Sequence, residues 1–207
     1  MIVYFARHGE SLANTSRVIS NRNLPHPLTE NGRWQALQLA ERLKQEGITV
    51  IYTSPVPRAL ETAQIIGGVL QIPPQKEDGL REFDTGVLEG RSGALTWIRF
   101  SALWNNWFYR RQFHKRINGG ESFTETAARF YAFTTTLASL YGETDAHVLC
   151  ISHGGLLRAG LSGLLENLDF EQVRDRQLNY TTVITTGYTD GKWRCLDWDG
   201  AIPAAGG

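Results

Sequence analysis

Apolar residues in this chain gather in short uninterrupted runs that end in polar, chemically active residues. The run at 2–6 is followed by Arg-His-Gly and the run at 148–151 by Ser-His-Gly, so His8 and His153 each lie between a strand-like segment and a glycine. Such a run is typical of a buried strand, and the glycine permits a tight turn into a helix. Because ligands of open α/β sheets bind at the carboxyl edge of the strands, the pattern predicts that both histidines converge at one edge.

Segments with helical periodicity separate these runs. The segment between Thr29 and Gly47 repeats apolar residues at helical spacing, which predicts an amphipathic helix that ends before the glycine. A third strand-like run, ITVIY, precedes the Ser-Pro pair at 54–55, which is typical of an N-cap and a first-turn proline. It predicts a helix through about Leu70 with Arg58 in its first turn. The predicted apolar face of the earlier helix consists of Trp34, Leu37, Ala40 and Leu43.

The second half continues the alternation. Ser122 and Glu125 match a capping box ahead of a long helix, and the segment LLRAGLSGLL after His153 predicts another helix. Two β-rich runs flank Asp190-Gly191, which indicates a hairpin, whereas the final AIPAAGG has no pattern and is expected to fray. The order of elements predicts an α/β fold with a mostly parallel sheet covered on both faces. The predicted apolar stripe of the long helix consists of Phe123, Ala127, Phe130, Thr134 and Leu137.

Composition bounds the class of protein. A chain of 207 residues with 42% hydrophobic residues can bury one sizeable core, and no linker-like segment divides it, which predicts a single domain over residues 1–207. The formal net charge is +0, which gives no general attraction to nucleic acid or membranes. Cys150 and Cys195 form neither a disulfide framework nor a metal-ligand spacing, which favours a reducing compartment. Without a basic leader or a long apolar segment, we expect a cytoplasmic protein with no signal peptide and no membrane span.

Two histidines and two arginines predict a cationic pocket for a phosphoryl group. An imidazole attacks phosphorus only through an unprotonated nitrogen, and Arg7 beside His8 disfavours the imidazolium while offering donors to phosphoryl oxygens. His153, if protonated, would add positive charge, and the amide of Gly154 at a helix N-terminus can contact an anion. Glu82 can donate a proton to the leaving group if burial and an anionic substrate keep its carboxyl group protonated.

Five motifs in chain order carry a family resemblance: RHGES, SPxxRAxxTA, LxE followed by G and EG, GGES, and SHGG. They span residues 8–155 and resemble the histidine phosphatase superfamily, also called phosphoglycerate mutase-like. The resemblance implies a three-layer α/β/α sandwich, a phosphohistidine on His8, Glu82 as acid and then as base for the attacking water, and no metal or organic cofactor. The residues that it implies around the phosphoryl group are Arg7, Arg58, His153, Asn14 and Ser20.

The chain departs from the family in the loop SNRNLPHPLTENG. Family members usually carry an aspartate shortly before PLT, whereas this chain has Asn23 followed by extra residues that include His26. This difference concerns the geometry of the loop and leaves the core chemistry unchanged. A metal site is not expected, because His26, His114 and His147 show no ligand spacing to the two motif histidines, and we interpret all three as loop or surface residues. Glu82 also has acidic neighbours, so a solvent-exposed run of acidic residues without a catalytic role stays an alternative there. The neighbours are Glu77, Asp78 and Asp84.

Residues 91–120 differ most in composition from the rest of the chain and are predicted to form a helical cap insertion. The segment contains no acidic residue and six basic ones, namely Arg91, Arg99, Arg110, Arg111, Lys115 and Arg116. Trp97, Phe100, Trp104 and Trp107 are spaced for one helical face. This face either packs the insertion on the core or on a partner subunit, or covers the pocket with an aromatic residue against the organic part of the substrate. In the second interpretation Arg110, Arg111, Lys115 or Arg116 contacts an anionic substrate.

Three functions from different classes are compatible with the sequence. A phosphatase transfers the phosphoryl group from His8 to a water molecule, a phosphoglycerate mutase-type isomerase returns it to another oxygen of a retained sugar acid, and an inactive relative only binds phosphate. We favour the phosphatase, because LREFDTGVLEG resembles the phosphatase members and the chain is shorter than typical cofactor-dependent mutases. The expected partner is a small phosphorylated substrate, with no nucleic acid and no membrane, and a homodimer is compatible with the sequence.

Overall fold

The computed structural model describes residues 1–22 and 24–200, so the expectations for Asn23 and for the final AIPAAGG fall outside it. Within these ranges the chain forms six strands and seven helices around one sheet. The strands are β1 (Ile2–Arg7), β2 (Val50–Thr53), β3 (Gln75–Lys76), β4 (His147–Ser152), β5 (Val183–Thr189) and β6 (Lys192–Trp198). The helices are α1 (Leu12–Thr15), α2 (Glu30–Leu43), α3 (Pro57–Leu70), α4 (Ala94–Phe108), α5 (Phe123–Tyr141), α6 (Gly154–Leu164) and α7 (Phe170–Asp175).

The sheet is mostly parallel, as predicted. Its strand order is β3-β2-β4-β1-β5-β6, and β3, β2, β4 and β1 run parallel to one another. β5 runs antiparallel to β1 and to β6, and the turn between β5 and β6 contains Asp190 and Gly191 with φ of 52° and 76°. Two positive φ values are what a tight hairpin turn of the primed type requires. The C-terminal hairpin predicted from Asp-Gly is therefore confirmed.

Alternating residues of the central strands build a core on each face of the sheet. Val3 and Phe5 of β1 pack with residues of α5, α6 and α7, whereas Tyr4 and Ala6 pack with α2 and α3. This alternation follows from the period of two in a strand. The predicted stripe of α5 is buried, and the capping box between Ser122 and the Glu125 carboxylate begins that helix. The result is the expected three-layer α/β/α sandwich.

The apolar face predicted for α2 is half wrong. Ala40 and Leu43 are buried, but Trp34 is 60% exposed and Leu37 is 45% exposed. The buried face carries Gly32, Ala36 and Leu39 instead. α2 begins so close to the turn after β1 that a Cβ on Gly32 would lie 1.9 Å from the Glu10 carbonyl oxygen. Gly32 therefore has to be a glycine, Leu39 and Leu43 supply the large apolar side chains of the buried face, and Trp34 and Leu37 point to solvent.

The start of α3 also differs from its prediction. The helix begins at Pro57, two residues after the predicted first-turn proline, and Val56 occupies the N-cap position. Arg58 nevertheless lies in the first turn, as expected. The hydroxyl group of Ser54 accepts from the Val56 amide and contacts the His153 ring, so this serine supports the histidine instead of occupying the N-cap position.

The insertion at 91–120 consists of α4 and an irregular segment that returns to α5. Leu103, Trp107 and Phe108 of α4 are buried and form a separate apolar cluster with Phe83 and Phe123. The Trp107 indole also donates to the carbonyl of Lys115 at 2.7 Å, which ties the returning segment to the helix. One end of the predicted aromatic face therefore packs on the core.

Two glycines of the sandwich helices provide a matched test of the close approach at α2. We expect Gly32→Ala to lower the free energy of unfolding by about 1–3 kcal/mol, because the new methyl group overlaps backbone atoms. Gly68→Ala in α3 meets nothing within 4 Å and should raise stability by about 0.5–1 kcal/mol. Urea unfolding of both variants checks this pair. Equal effects would contradict the close approach.

Candidate active site

The two motif histidines meet at the carboxyl edge of the sheet because their strands are adjacent and in register. Arg7 at the end of β1 pairs with Ser152 at the end of β4, so each strand delivers the next residue to the same edge. The His8 amide donates to the Ser152 carbonyl at 3.0 Å, and the centroids of the His8 and His153 rings lie 5.1 Å apart. Both rings are buried. The convergence predicted from the two His-Gly runs is thus present.

Arg58 lies between the two histidines and binds both. Its Nε donates to His8 Nε2 at 2.9 Å, one terminal nitrogen donates to His153 Nδ1 at 3.0 Å, and the other donates to the Ser20 carbonyl. Thr62, one turn further along α3, accepts from the Gly9 amide at 3.1 Å and thereby ties the turn after His8 to the same helix. The Arg58 side chain is almost fully buried, and this burial lowers its pKa to about 10, so it remains a cation at neutral pH.

These hydrogen bonds assign the proton on each ring. His8 Nδ1 is 2.7 Å from the Gly9 carbonyl and must carry the proton, because a carbonyl oxygen only accepts. His8 Nε2 is then unprotonated and accepts from Arg58. On His153, Nδ1 accepts from Arg58, so Nε2 carries the proton and donates to Ser54 Oγ at 2.8 Å. Each ring therefore has a defined neutral tautomer.

The neutral state of both rings has an electrostatic cause. Burial, followed by the charge of Arg58, lowers the pKa of His8 and of His153 well below the usual value for histidine. The condition under which His153 would add positive charge, a protonated ring, is therefore not met in this arrangement. Positive charge in the pocket comes from the guanidinium groups, and His153 contributes by orienting Arg58.

Arg7 contributes an unsatisfied donor. Its guanidinium lies over the Tyr180 ring at 4.3 Å from the centroid, and one terminal nitrogen donates to the Leu178 carbonyl at 2.8 Å. Its buried Nε has no hydrogen-bond partner. This Nε lies 3.5 Å from the position that a Cβ on Gly154 would occupy. A buried N–H without a partner costs free energy, and an anion beside Gly154 would satisfy it.

Glu82 lies opposite these cations, at the N-terminus of α6. Its two carboxylate oxygens accept from the amides of Gly155 at 3.0 Å, Leu156 at 2.7 Å and Phe83 at 3.1 Å. A Cβ on Gly155 would lie 2.6 Å from a Glu82 oxygen, so the glycine is required for this approach. The side chain is only half-buried. Glu82 is therefore held at the cavity by backbone amides, and its role as the proton donor stays a prediction.

The predicted phosphate-binding residues border the same cavity, of about 270 Å³. Asn14 uses its side-chain oxygen to accept from Ser11 at 2.7 Å, which leaves its amide nitrogen directed elsewhere. The Ser20 hydroxyl group is 2.9 Å from Nδ1 of His26, which is a half-buried loop residue. His153 lies behind the cavity. The predicted residues that line it are Arg7, His8, Asn14, Ser20, Arg58, Glu82 and Gly154.

The rival acidic residues near Glu82 have other contacts. Asp84 forms an ion pair with Arg22 at 3.0 Å, and Glu77 accepts from the Gly79 amide at 3.0 Å in a short turn. Asp78 pairs with Arg81 at 3.3 Å. Glu82 is thus the carboxylate of this stretch that borders the cavity.

The cap contributes aromatic rather than basic side chains to the cavity. Trp97, Phe100 and Trp104 of α4 line it. By contrast, Arg111 pairs with Glu171 at the protein surface, and Arg116 pairs with Glu125 at 2.9 Å. The alternative in which Arg110, Arg111, Lys115 or Arg116 contacts the substrate is not supported, because none of the four borders this cavity. The aromatic part of the prediction is present in the structure.

Sequence reasoning missed Arg158, a further arginine that lines the cavity. Its terminal nitrogens donate to the carbonyls of Val173, Arg174 and Arg176 at the end of α7. The only signal was its place in α6, five residues after His153, on a helix that begins at the pocket. Among residues 1–22 and 24–200, no group of three or more His, Cys, Asp and Glu side chains is arranged to hold a metal ion. No helix in this part of the chain is long and apolar enough to cross a membrane.

A mixed α/β sheet that brings two histidines to an arginine-rich pocket defines a recognisable class of protein. Residues 3–200 match the model of the histidine phosphatase superfamily (branch 1). The chain belongs to this superfamily, and the resemblance noted from the motifs is confirmed.

The relatives that the chain resembles include proteins named as a mutase and as a phosphatase. A probable phosphoglycerate mutase GpmB of Yersinia pestis (strain Pestoides F) is 33% identical over 205 residues, which covers 99% of this chain and 92% of the relative. A mycobacterial glucosyl-3-phosphoglycerate phosphatase, solved with VO3, has a TM-score of 0.81 at 25% identity and covers 97% of this chain and 99% of its own. YhfR of Bacillus stearothermophilus has a TM-score of 0.81 at 25% identity, with 97% of each chain covered.

The neutral histidines predict an acid-sensitive fold. Because the folded pKa of each ring lies below the usual value, the unfolded chain binds protons first. Stability that is fully present above about pH 6.5 is lost as the pH falls toward the folded pKa values. Each ring contributes a slope of up to about 1.4 kcal/mol per pH unit. Urea unfolding between about pH 8 and pH 5 in buffers without phosphate measures this slope. The double variant His8→Asn/His153→Asn should lose most of it, and an unchanged slope would contradict the neutral assignment.

Proposed function

We propose that this protein is a phosphatase that transfers the phosphoryl group of a small phosphomonoester to His8 Nε2 and then to water. The observation that carries the proposal is the unprotonated Nε2 of His8, held at 2.9 Å from the Arg58 guanidinium at the floor of the cavity. Phosphatases among the solved relatives, such as the mycobacterial one, support it. We treat the chain as one catalytic domain in which residues 91–120 form the cap.

Binding of the substrate satisfies the cationic end of the cavity. The phosphoryl oxygens accept from the free Nε of Arg7, from the Asn14 amide, from the Ser20 hydroxyl group and from the Gly154 amide. Arg58 redirects its Nε from the His8 lone pair to a phosphoryl oxygen, since the same lone pair must form the new bond. His153 keeps Arg58 oriented through its Nδ1. The two guanidinium groups then neutralise charge that accumulates on the phosphoryl group.

The first chemical step forms the bond between His8 Nε2 and phosphorus and breaks the phosphorus–oxygen ester bond. The His8 Nδ1 proton stays on the ring and donates to the Gly9 carbonyl, which stabilises the positive charge that develops on the imidazole. Glu82, protonated in the presence of the dianionic substrate, gives its proton to the departing alkoxide. In the second step Glu82 removes a proton from water, the water oxygen bonds to phosphorus, and the bond to Nε2 breaks.

The mutase remains the second candidate, because the 33% identical relatives carry that name. A phosphoglycerate mutase retains a sugar acid and must hold its carboxylate while the phosphoryl group moves. The far wall of this cavity is aromatic, and Arg158 already donates to three carbonyl groups. These contacts favour hydrolysis. Phosphorus NMR of a reaction with 3-phosphoglycerate separates the two outcomes, since a phosphatase releases inorganic phosphate and a mutase accumulates the 2-isomer.

The phosphohistidine is tested by trapping it. Acid-labile, alkali-stable label should appear on the protein after a rapid quench with a labelled phosphomonoester, and His8→Ala should trap none. His114→Ala, an exposed histidine of the cap, is the matched control and should trap as much label as the wild type. Equal labelling of His8→Ala and wild type would remove His8 from the role of nucleophile.

The roles of Glu82 and Arg58 can be distinguished by changing the leaving group of the substrate. We expect Glu82→Gln to slow His8 phosphorylation by an alkyl phosphate about 10²–10⁴-fold and by p-nitrophenyl phosphate much less, because nitrophenolate departs without a proton. Arg58→Ala removes charge stabilisation of the shared phosphoryl group and should slow both. Pre-steady-state phosphorylation rates measure this difference. Glutamine also places an N–H₂ group against backbone amides that donate to Glu82. Retained turnover of p-nitrophenyl phosphate by Glu82→Gln therefore serves as the control that the variant is folded. An equal loss on both substrates would mean that Glu82 is not the leaving-group acid.

A further inference from the structure

The cavity has an apolar wall opposite its cationic end. Trp97, Phe100 and Trp104 lie on one face of α4, at spacings of three and four residues, and all three are half-buried with part of their surface toward the cavity. The Phe100 ring lies within 24° of the plane of Phe83 and within 19° of the plane of Trp104, at centroid distances of 5.8 Å and 6.4 Å. Four aromatic rings thus border the space where the organic part of a substrate would lie.

This wall is held in place by its own contacts. The Trp97 indole donates to the Arg17 carbonyl at 2.9 Å, and the Arg17 guanidinium lies over the ring at 5.5 Å from its centroid. The Trp104 ring packs against Phe108, with centroids 4.3 Å apart, and Phe108 is buried in the cap cluster. A rigid apolar surface binds a complementary ligand without the entropy cost of ordering side chains.

The same end of the cavity offers little to a second anion. Among the described residues that line it, the basic ones are Arg7, Arg58 and Arg158. Arg7 and Arg58 belong to the phosphoryl end, and Arg158 donates to the carbonyls of Val173, Arg174 and Arg176. A substrate carboxylate or second phosphate would therefore lose its hydration against aromatic rings without gaining a free cation.

We infer that the substrate is a monophosphate ester whose organic part carries an aromatic or similarly flat apolar group next to the ester and no second anionic group. This inference rests on the proposed phosphatase function and assigns Phe100 and Trp104 as specificity-determining residues. The cavity of about 270 Å³ is near the lower limit of small-molecule pockets, which suits one phosphoryl group and one ring system.

The test compares substrates that lose the same kind of leaving group. 2-Phenylethyl phosphate, glycerol 3-phosphate and 3-phosphoglycerate all release a primary alkoxide, so the contribution of Glu82 is matched and only the organic part differs. We expect kcat/KM for 2-phenylethyl phosphate to exceed both others by about 10–100-fold, the factor expected for burial of one apolar ring. Equal values, or a preference for 3-phosphoglycerate, would overturn the inference and leave the phosphatase function standing.

Two variants test whether aromatic rings of α4 cause the preference for 2-phenylethyl phosphate. Phe100→Leu and Trp104→Leu keep an apolar side chain but remove the ring, and each should raise KM for 2-phenylethyl phosphate several-fold with little change in kcat and little change on glycerol 3-phosphate. Ile98→Ala is the matched control, because Ile98 lies on the same helix and is 64% exposed on its outer side. A parallel loss on all substrates would assign the two rings to folding alone and overturn their role in specificity.

A binding measurement keeps the inference separate from turnover. 3-Phenylpropylphosphonate, which cannot be hydrolysed, should bind the wild type about 10–100-fold more tightly than propylphosphonate in calorimetry, and Phe100→Leu should reduce this ratio. If phosphohistidine trapping fails while the binding ratio holds, the aromatic specificity stands and the phosphatase function does not. If both phosphonates bind equally, the aromatic wall does not contact the ligand.

Discussion

The site depends on one buried guanidinium that has two imidazoles as acceptors. Arg58 donates to His8 Nε2, to His153 Nδ1 and to the Ser20 carbonyl, and none of these acceptors carries a negative charge. A buried cation without an anion is costly, so both rings stay neutral and offer lone pairs instead. This arrangement fixes the tautomer of each histidine and directs the unprotonated nitrogen of His8 to the cavity. The cluster, together with the unpaired Nε of Arg7, is complementary to a dianion.

Strand register and close backbone approaches, more than side-chain packing, place Arg58 and the two histidines. β1 and β4 are neighbours in register, so both histidines leave the sheet at one level. Gly9 and Gly32 let the turn after β1 approach the start of α2, and a Cβ on Gly9 would lie 2.5 Å from the Gly32 carbonyl oxygen. Gly155 gives Glu82 access to the amides at the start of α6. Each glycine thus shortens a distance between elements, which explains why the motifs pair reactive residues with glycine.

Much of the fold and of the candidate site could be predicted, because strand ends and helix starts are local signals. The runs before His8 and His153, the Ser122 cap and the Asp190-Gly191 turn each determine structure within a few residues of themselves. The errors concern long-range contacts. Trp34 and Leu37 gave α2 the wrong face, since the buried face starts at Gly32, where the backbone of the turn after β1 approaches, and continues through Leu39 and Leu43. The proton on His153 and the outward pairing of Arg111 likewise depend on partners that are distant in sequence.

The two ends of the cavity are built by different parts of the chain, and this separates chemistry from selectivity. The phosphoryl end consists of residues at sheet edges and helix starts, where a small shift would break the geometry of Arg58. The opposite end consists of Phe83 and three side chains on α4, a helix that is anchored by Trp107 and Phe108 in a cluster of its own. Substitutions on the cavity face of α4 can therefore alter the shape offered to the leaving group without moving His8. A shared fold at 25% identity is consequently compatible with different substrates, because α4 can change its cavity face while the sheet edge keeps its geometry.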